Sequence, residues 1–263
     1  MFLNYIIWDV SPVAFHIGNT ELRWYGLMFP IGFLLGYLLA RRMFKIEDVS
    51  LNLLDTLFII VFLSGIIGAR IGHVIFYDWE FFKEHPSEII KTWHGGLASH
   101  GGVFGVLFAL LIWSRFSDKS FSWVIDKVAV CASLLAGLIR IGNLMNSEIY
   151  GIATDMPWGF IFVQQGETDA KHPTQLYEAI YYFGVFILLY YLYFNKKAYR
   201  KVGLISGLFG VLIFMFRFFI EFIKNDQSEF EAGMFLNMGQ ILSIPLICFS
   251  VFLVVNSRKT QET

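Results

Sequence analysis

Gly137-Leu-Ile-Arg140-Ile-Gly-Asn143-Leu-Met-Asn146-Ser-Glu148-Ile-Tyr-Gly151 closes a run, residues 123–143, that is otherwise apolar enough to cross a bilayer. A guanidinium stays charged at any cellular pH, and placing it in hydrocarbon costs about 2.5 kcal/mol or more. The chain holds two more such arginines in apolar runs, Arg70 and Arg217. The cost is tolerated where the charge meets a partner, water or a ligand. These runs therefore decide both the fold and the place to look for chemistry.

The surrounding composition is that of a membrane protein. Hydrophobic residues make up 56% and charged residues only 16%, with a mean hydropathy of +0.60, where soluble domains carry about 25% charged residues. A formal net charge of −1 argues against a nucleic-acid partner. Cys131 and Cys248, each inside an apolar run, read as buried structural cysteines and imply no disulfide framework. Met1 to Ile7 is short, lacks a basic flank and meets Asp9 at once, so it does not read as a cleavable signal.

Spanning the hydrocarbon takes about 20 apolar residues. Seven runs qualify: roughly 21–40, 53–76, 97–114, 123–143, 175–194, 203–223 and 237–256. The third is short and glycine-rich. The expected fold is an all-α polytopic membrane protein, one integral membrane domain over 1–263. Basic residues orient it. Arg41, Arg42, Lys45, Arg115, Lys119, Lys127, Lys196, Lys197, Arg200, Lys201, Arg258 and Lys259 fall in one set of connections; Lys83, Lys91, Lys171 and Lys224 fall in the other, with Arg23 near a border. This predicts a cytoplasmic C-terminus and an N-terminus outside, with 78–96, 144–174 and 224–236 as outward connections. A re-entrant run would break that alternation. The connection 144–174 is punctuated by Gly151, Pro157, Gly159 and Gly166. Alternation around Trp158, Phe160, Phe162 and Val163 suggests a short strand or hairpin there.

The polar motifs gather toward the outward side. At about 100° per residue Arg140 and Asn143 share a helix face, while Asn146 and Glu148 do not. The helix is expected to unwind near Gly142 to Asn146 so that these groups converge, which membranes tolerate around a protein-lined or wet cavity. The competing reading is a purely structural polar cluster. Arg217 and Glu221, spaced i,i+4, are expected to pair. His94-Gly-Gly-Leu-Ala-Ser-His100-Gly-Gly102 opens the third run, where glycines admit backbone or lipid closely; a flexible helix entrance is the bland alternative. His172-Pro-Thr-Gln-Leu-Tyr-Glu178 opens the fifth and reads most simply as a capped helix entry. Arg70 is either a third contact or a structural pair. His94, His100 and His172 show no metal-ligand spacing.

Together Arg23-Trp-Tyr25-Gly26, His100-Gly-Gly102, Arg140 to Gly151, His172 to Glu178 and Arg217-Phe-Phe-Ile-Glu221 resemble the prolipoprotein diacylglyceryl transferase family. The match runs from residue 23 to 221, and the Arg140 to Gly151 stretch is its specific signature. The resemblance implies a seven-helix enzyme of the bacterial inner membrane. Such an enzyme moves a diacylglyceryl group from phosphatidylglycerol to the lipobox cysteine thiol of a prolipoprotein signal peptide, forming a thioether and releasing glycerol 1-phosphate. It also implies activity or substrate-binding roles for Tyr25, His100, Arg140, Asn143, Glu148, Gly151, Arg217 and Glu221. The chain offers no cofactor motif and no metal cluster, and alkyl transfer needs neither.

On this reading Arg140 and Arg217 hold the phosphate as catalytic and substrate-binding groups, oriented by Glu148 and Glu221. Asn143 and Tyr25 hydrogen-bond the glycerol part, and Asn146 and Gly151 in the same stretch are further substrate-binding candidates. His100 is the candidate base, with a carboxylate as its rival. The alternative is an anion or lipid transporter that uses the intramembrane arginines; it would call for inverted halves with paired broken helices, which the sequence does not display. An intramembrane protease would need a Gly-x-Ser-x-Gly motif or paired intramembrane aspartates, which are not seen.

Overall fold

The computed structural model describes residues 5–18, 20–225 and 234–259. Its elements run β1 (Ile6–Trp8), β2 (Val13–Ile17), β3 (Thr20–Arg23), α1 (Trp24–Ile46), α2 (Leu51–Phe76), α3 (Trp79–Glu84), α4 (Ser99–Phe116), α5 (Phe121–Met145), β4 (Phe160–Phe162), α6 (Thr174–Phe194), β5 (Lys201–Val202), α7 (Leu204–Ile220), α8 (Met238–Val255) and β6 (Arg258–Lys259). Seven of the described helices are long and apolar enough to cross a membrane, and they coincide with the seven expected runs. The fold is mostly helical. The main boundary difference is α1, which passes Arg41, Arg42 and Lys45 and stops at Ile46. Long basic side chains extend a helix beyond its apolar window by carrying their charge outward, and the stop comes where Asp48 adopts a positive φ of 52°.

The described residues form two compact units, 1–39 with 126–263, and 40–125. In the second unit α2 and α4 are pressed together by glycines. A Cβ at Gly72 would lie 2.8 Å from Gly101 Cα, and one at Gly105 would strike the Ser64 carbonyl. The i,i+4 pairs Gly68/Gly72 and Gly101/Gly105 thus face each other as small-residue seams, the usual means of close helix approach in lipid. Of the two neighbours expected for the His100-Gly-Gly segment, backbone is the one found. Trp113 of α4 donates to the Leu53 carbonyl at 3.0 Å and stacks on Trp123, whose indole donates to Glu47 at 2.8 Å.

In the larger unit α5 carries Asp126, fully inside the protein, which accepts from the Gly203 and Ser206 amides at 2.7 and 2.8 Å and from the Ser206 hydroxyl. Gly203 has no side chain to cap α7, so a carboxylate from another helix satisfies its first amides. Cys131 donates to the Gly36 carbonyl at 3.4 Å. Cys248 departs from expectation: it is exposed on α8. The run around Phe160 does form a strand, β4, paired in parallel with β1 and bridged by Phe160 to Lys171. Phe160 and Phe162 are buried with Leu144 there, against Trp8 and Tyr150. The β2–β3 hairpin and β1 had no sequence signal strong enough to be read.

The connection after α5 is held by Tyr150, whose hydroxyl donates to Glu167 at 2.6 Å, while Lys171 lies 3.1 Å from the same carboxylate. That hydrogen bond, with the Lys171 charge, keeps Glu167 below the usual carboxylate range, and burial with the same bond pushes Tyr150 up to about 12.

Two outcomes follow from this packing. Gly101→Leu should destabilise the purified protein by about 1–3 kcal/mol or more, since overpacking meets backbone rather than a movable side chain; thermal unfolding in detergent measures it. Because the Glu167 pKa is lowered on folding, its contribution is present above the unfolded value near pH 4 and fades as pH falls through the folded value. Glu167→Gln should therefore raise protease cleavage within 150–171 relative to wild type at neutral pH, with the ratio falling toward one as pH drops into the pepsin range.

Candidate active site

The site is built at one end of α5, α6 and α7 in the larger unit. Arg140 reaches across from α5 with Nε 3.1 Å from Glu178 Oε2, and its Nη1 donates to Asn143 Oδ1 at 3.1 Å. The Arg140–Asn143 contact is the shared helix face read from the sequence. Asn143 passes the link on, donating from Nδ2 to Glu148 Oε1 at 2.8 Å, where Asn146 Nδ2 also arrives at 3.4 Å. Glu148 therefore touches Arg140 through an asparagine, not directly. The carboxylate paired with Arg140 is Glu178.

From Glu178 the charges continue. Lys224 Nζ lies 3.3 Å from Glu178 Oε1 and 3.4 Å from Glu221 Oε1, and Arg217 Nη2 lies 3.7 Å from Glu221 Oε1. Arg140, Glu178, Lys224, Glu221 and Arg217 form an alternating chain of five charges. Its middle is inaccessible: the side chains of Glu178, Lys224 and Glu221 are 0, 2 and 5% exposed, against 15% for Arg140 and 40% for Arg217. Burying an isolated charge is prohibitive, and pairing is what makes it tolerable. Tyr182 adds a donor to Glu178 at 3.2 Å, and Asn237, the N-cap of α8, donates to Glu221 Oε2 at 3.1 Å. A Cβ at Gly239 would lie 2.8 Å from Glu221 Cδ, so that glycine makes room for the carboxylate. Burial lowers the Lys224 ammonium from its ordinary value, with Arg140 and Arg217 acting in the same sense and Glu178 and Glu221 opposing them.

The backbone beyond Arg140 differs from expectation. The helix does not unwind at Gly142; it runs to Met145, and the departure comes at Ser147 and Ile149, with φ of 53° and 60°. Helical hydrogen bonding continues past Gly142, whose carbonyl accepts from the Asn146 amide at 3.0 Å, and the glycine serves packing: its Cβ would lie 3.0 Å from Tyr25 Cδ2. Positive φ at a β-branched residue is a rare, strained conformation. It is held by α6, where Gln175 donates to the Glu148 carbonyl at 2.6 Å and Thr174 to the Ile149 carbonyl at 2.9 Å. The His172 to Glu178 segment is thus more than a capped helix entry. Asn146 Oδ1 and Gln175 Oε1 are buried beside this turn without a hydrogen-bond partner among the described residues. Gly151 lies in the same crossing: its amide donates to the His172 carbonyl at 2.8 Å, it bridges to Lys224, and any Cβ there would strike the Ile223 carbonyl. His172 itself is lowered by burial, which favours its neutral form, and its Nδ1 lies 3.3 Å from the Tyr177 hydroxyl.

Tyr25 of α1 sits close enough to Glu148 and Arg140 for both charges to act on its hydroxyl. So Tyr25, Arg140, Asn143, Asn146, Glu148, Gly151, Arg217 and Glu221 fall in one unit. His100, exposed on the first turn of α4, and Arg70 belong to the other. Arg70 is 5% exposed and donates to the carbonyls of Glu88, Ile89, Lys91, Gly95 and Gly96, at 2.6 to 3.3 Å, with its guanidinium 4.8 Å above the Phe82 ring. A guanidinium has five N–H donors, and here all five go to one loop. By contrast Arg140 and Arg217 have donors left over among the described residues. Glu178 and Lys224 join the charge chain without being candidates by sequence: Glu178 reads there as part of a helix entry and Lys224 as an orientation signal, although its i,i+3 spacing from Glu221 is visible. Among the described residues no three His, Cys, Asp or Glu side chains gather to hold a metal ion.

Fold and site define a multi-pass membrane protein with a buried acid–base chain ending in two arginines with spare donors. The family model described as prolipoprotein diacylglyceryl transferase matches residues 12–256. Phosphatidylglycerol–prolipoprotein diacylglyceryl transferases from three bacteria are similar over nearly their whole length. That of Chloroherpeton thalassium is 43% identical over 260 residues, covering 98% of this chain and 97% of the relative. Those of Porphyromonas gingivalis and Tolumonas auensis are 41% and 40% identical, covering 98% and 97% of this chain and 97% and 99% of theirs. The chain belongs to the prolipoprotein diacylglyceryl transferase family.

The donor count on Arg70 gives an outcome separate from catalysis. Arg70→Met should leave five carbonyls of 88–96 without their donor and open that loop, at a cost of about 1–3 kcal/mol or more; faster proteolysis between 78 and 97 than in wild type would register it.

Proposed function

We propose that this chain transfers a diacylglyceryl group from phosphatidylglycerol to a prolipoprotein, as the names of its family and relatives state for them, and that the acceptor is the lipobox cysteine thiol. Sulfur forms a bond to the glycerol carbon, the C–O bond to phosphate breaks, and the phosphate keeps the electron pair. The products are a thioether and glycerol 1-phosphate. A free thiol has a pKa near 8.5, so a modest base is enough to take its proton, with His100 and a carboxylate as the two candidates.

The observation that carries the site assignment is the pair of arginines with donors in excess of their protein partners, held at the two ends of one charge chain. A phosphodiester monoanion gains negative charge as its C–O bond breaks, and fixed cations help most where charge develops. Guanidiniums suit it because their planar fork matches phosphate oxygens. Glu178 orients Arg140, Glu221 orients Arg217, and Glu148 acts one step back through Asn143. Tyr25, Asn143 and Asn146 line the place for the glycerol part. The chain is read as a bacterial inner-membrane protein with its N-terminus and the connections 78–96 and 144–174 outside, on the strength of the basic-residue asymmetry. That side is where a secreted preprotein's cysteine emerges.

Transfer from labelled phosphatidylglycerol to a lipobox peptide tests this directly. Arg140→Ala and Arg217→Ala should each lower kcat by about 10²–10³-fold, the range for losing a donor aimed at developing charge. Full activity in both variants would remove the phosphate clamp. A peptide that gains no diacylglyceryl mass with wild-type protein would instead favour transport.

A further inference from the structure

Lys224, at the centre of the charge chain, has no role in the reaction as described so far, although its side chain is only 2% exposed. Lys224 Nζ lies nearly equidistant from two carboxylates, Glu178 Oε1 at 3.3 Å and Glu221 Oε1 at 3.4 Å, and each carboxylate is in turn the ionic partner of one arginine, at 3.1 and 3.7 Å. We propose that Lys224 is a positioning residue for the transfer reaction: the single ammonium that fixes both glutamates, and through them sets the two guanidiniums for one phosphate.

Three features of the structure bear on this. The side chain is 2% exposed and its carboxylate partners 0 and 5%, so no solvent competes for the contacts. Its backbone is clamped, with the Lys224 amide to Glu221 O at 3.4 Å and a bridge to Gly151, which has no room for a Cβ. The formal charge of the chain, three cations against two anions, is positive only while Lys224 is charged. The five-membered chain thus carries one positive charge in excess, and removing Lys224 makes it neutral. The charged groups around Lys224 are Glu178 from α6, Arg140 from α5, Arg217 from α7 and Glu221 just past its end, while Tyr182 of α6 donates to Glu178 and the neutral Asn237 at the start of α8 donates to Glu221. Lys224 is placed to act on the substrate through Arg140 and Arg217, not by touching it.

The consequence is specific. Without the ammonium, two buried carboxylates lose their shared cation and the contact that fixes their positions. The arginines they pair with are then set less closely for the phosphate. Lys224→Met should lower kcat roughly tenfold to a hundredfold, the scale of a small misplacement of catalytic groups, with a smaller effect on KM. Lys224→Arg, which keeps the charge, should restore most of the rate. A merely structural lysine would reduce the amount of folded protein but leave kcat and KM of the folded fraction unchanged. Should Lys224→Met fail to fold, Lys224→Gln, which can hydrogen-bond both carboxylates without charge, is expected to show the same loss of kcat in its folded fraction. A wild-type kcat in a folded uncharged variant would overturn the proposal. It rests on the phosphate-clamp reading of Arg140 and Arg217. The two fail differently: inactive arginine variants with an unaffected Lys224→Met would sink only the role of Lys224, whereas active arginine variants would sink both.

Discussion

Glu178 is a carboxylate with no solvent exposure on a membrane-spanning helix, and the arrangement around it follows from making that tolerable. An unpaired anion there would lose several kcal/mol of solvation. Arg140 from α5 and Lys224 beyond α7 supply opposite charges at 3.1 and 3.3 Å, and Tyr182 supplies a hydrogen bond from the same helix one turn on. Three segments distant in sequence must therefore meet at one point. Removing any partner leaves a buried charge uncompensated, which is the costly case, whereas the intact pairing is closer to neutral in free energy. The chain of charges is better understood as fixing geometry than as a source of stability.

That geometry extends into the backbone after α5. Glu148 is aimed at Asn143 by a turn in which Ser147 and Ile149 take positive φ, a strain of roughly 1–3 kcal/mol per residue that persists only when its surroundings over-determine it. The surroundings are the Thr174 and Gln175 bonds to the carbonyls of Ile149 and Glu148. The first turn of α6 thus holds the strained turn while its second turn presents Glu178 to Arg140. Gly151 completes the crossing by letting the Ile223–Lys224 backbone lie against it. One helix start serves both ends of the site, and this explains why His172 to Glu178 is conspicuous as a motif while looking like an ordinary helix entry.

How much of this could be read beforehand depended on distance along the chain. The seven spans follow from local composition, and their helices fall where the apolar windows do. Arg140 with Asn143, and Arg217 with Glu221, are neighbours through the helical period, so spacing alone paired them. Glu178 lies far along the chain from its arginine, and nothing local distinguishes it from a helix-entry glutamate; Glu148 was nearer and took its place in the reading. Lys224 carried a charge that orientation counting had already absorbed. The strands β1 to β3 are short and lack a buried face of their own, so no period-two pattern announced them. The His100 glycines were legible as a close approach, but only the structure names Gly68 and Gly72 as what approaches.

The three arginines that stand out in the apolar runs separate on donor arithmetic. Cost of burial ranks them together, since each is a fixed charge on a membrane-spanning helix. Arg70 spends all five N–H groups on the carbonyls of one loop and lies over Phe82, so it has nothing left for a ligand. Arg140 is committed at Nε and Nη1, and Arg217 at one long contact. A guanidinium with unspent donors on an apolar helix is an unfinished hydrogen-bonding unit, and it is finished best by an acceptor with several oxygens and negative charge. Glu178 and Glu221 do not use up these donors, because each shares its Oε1 with Lys224, and Glu148 is engaged by Asn143. What the chain leaves open at both ends is what the proposed phosphate clamp would use.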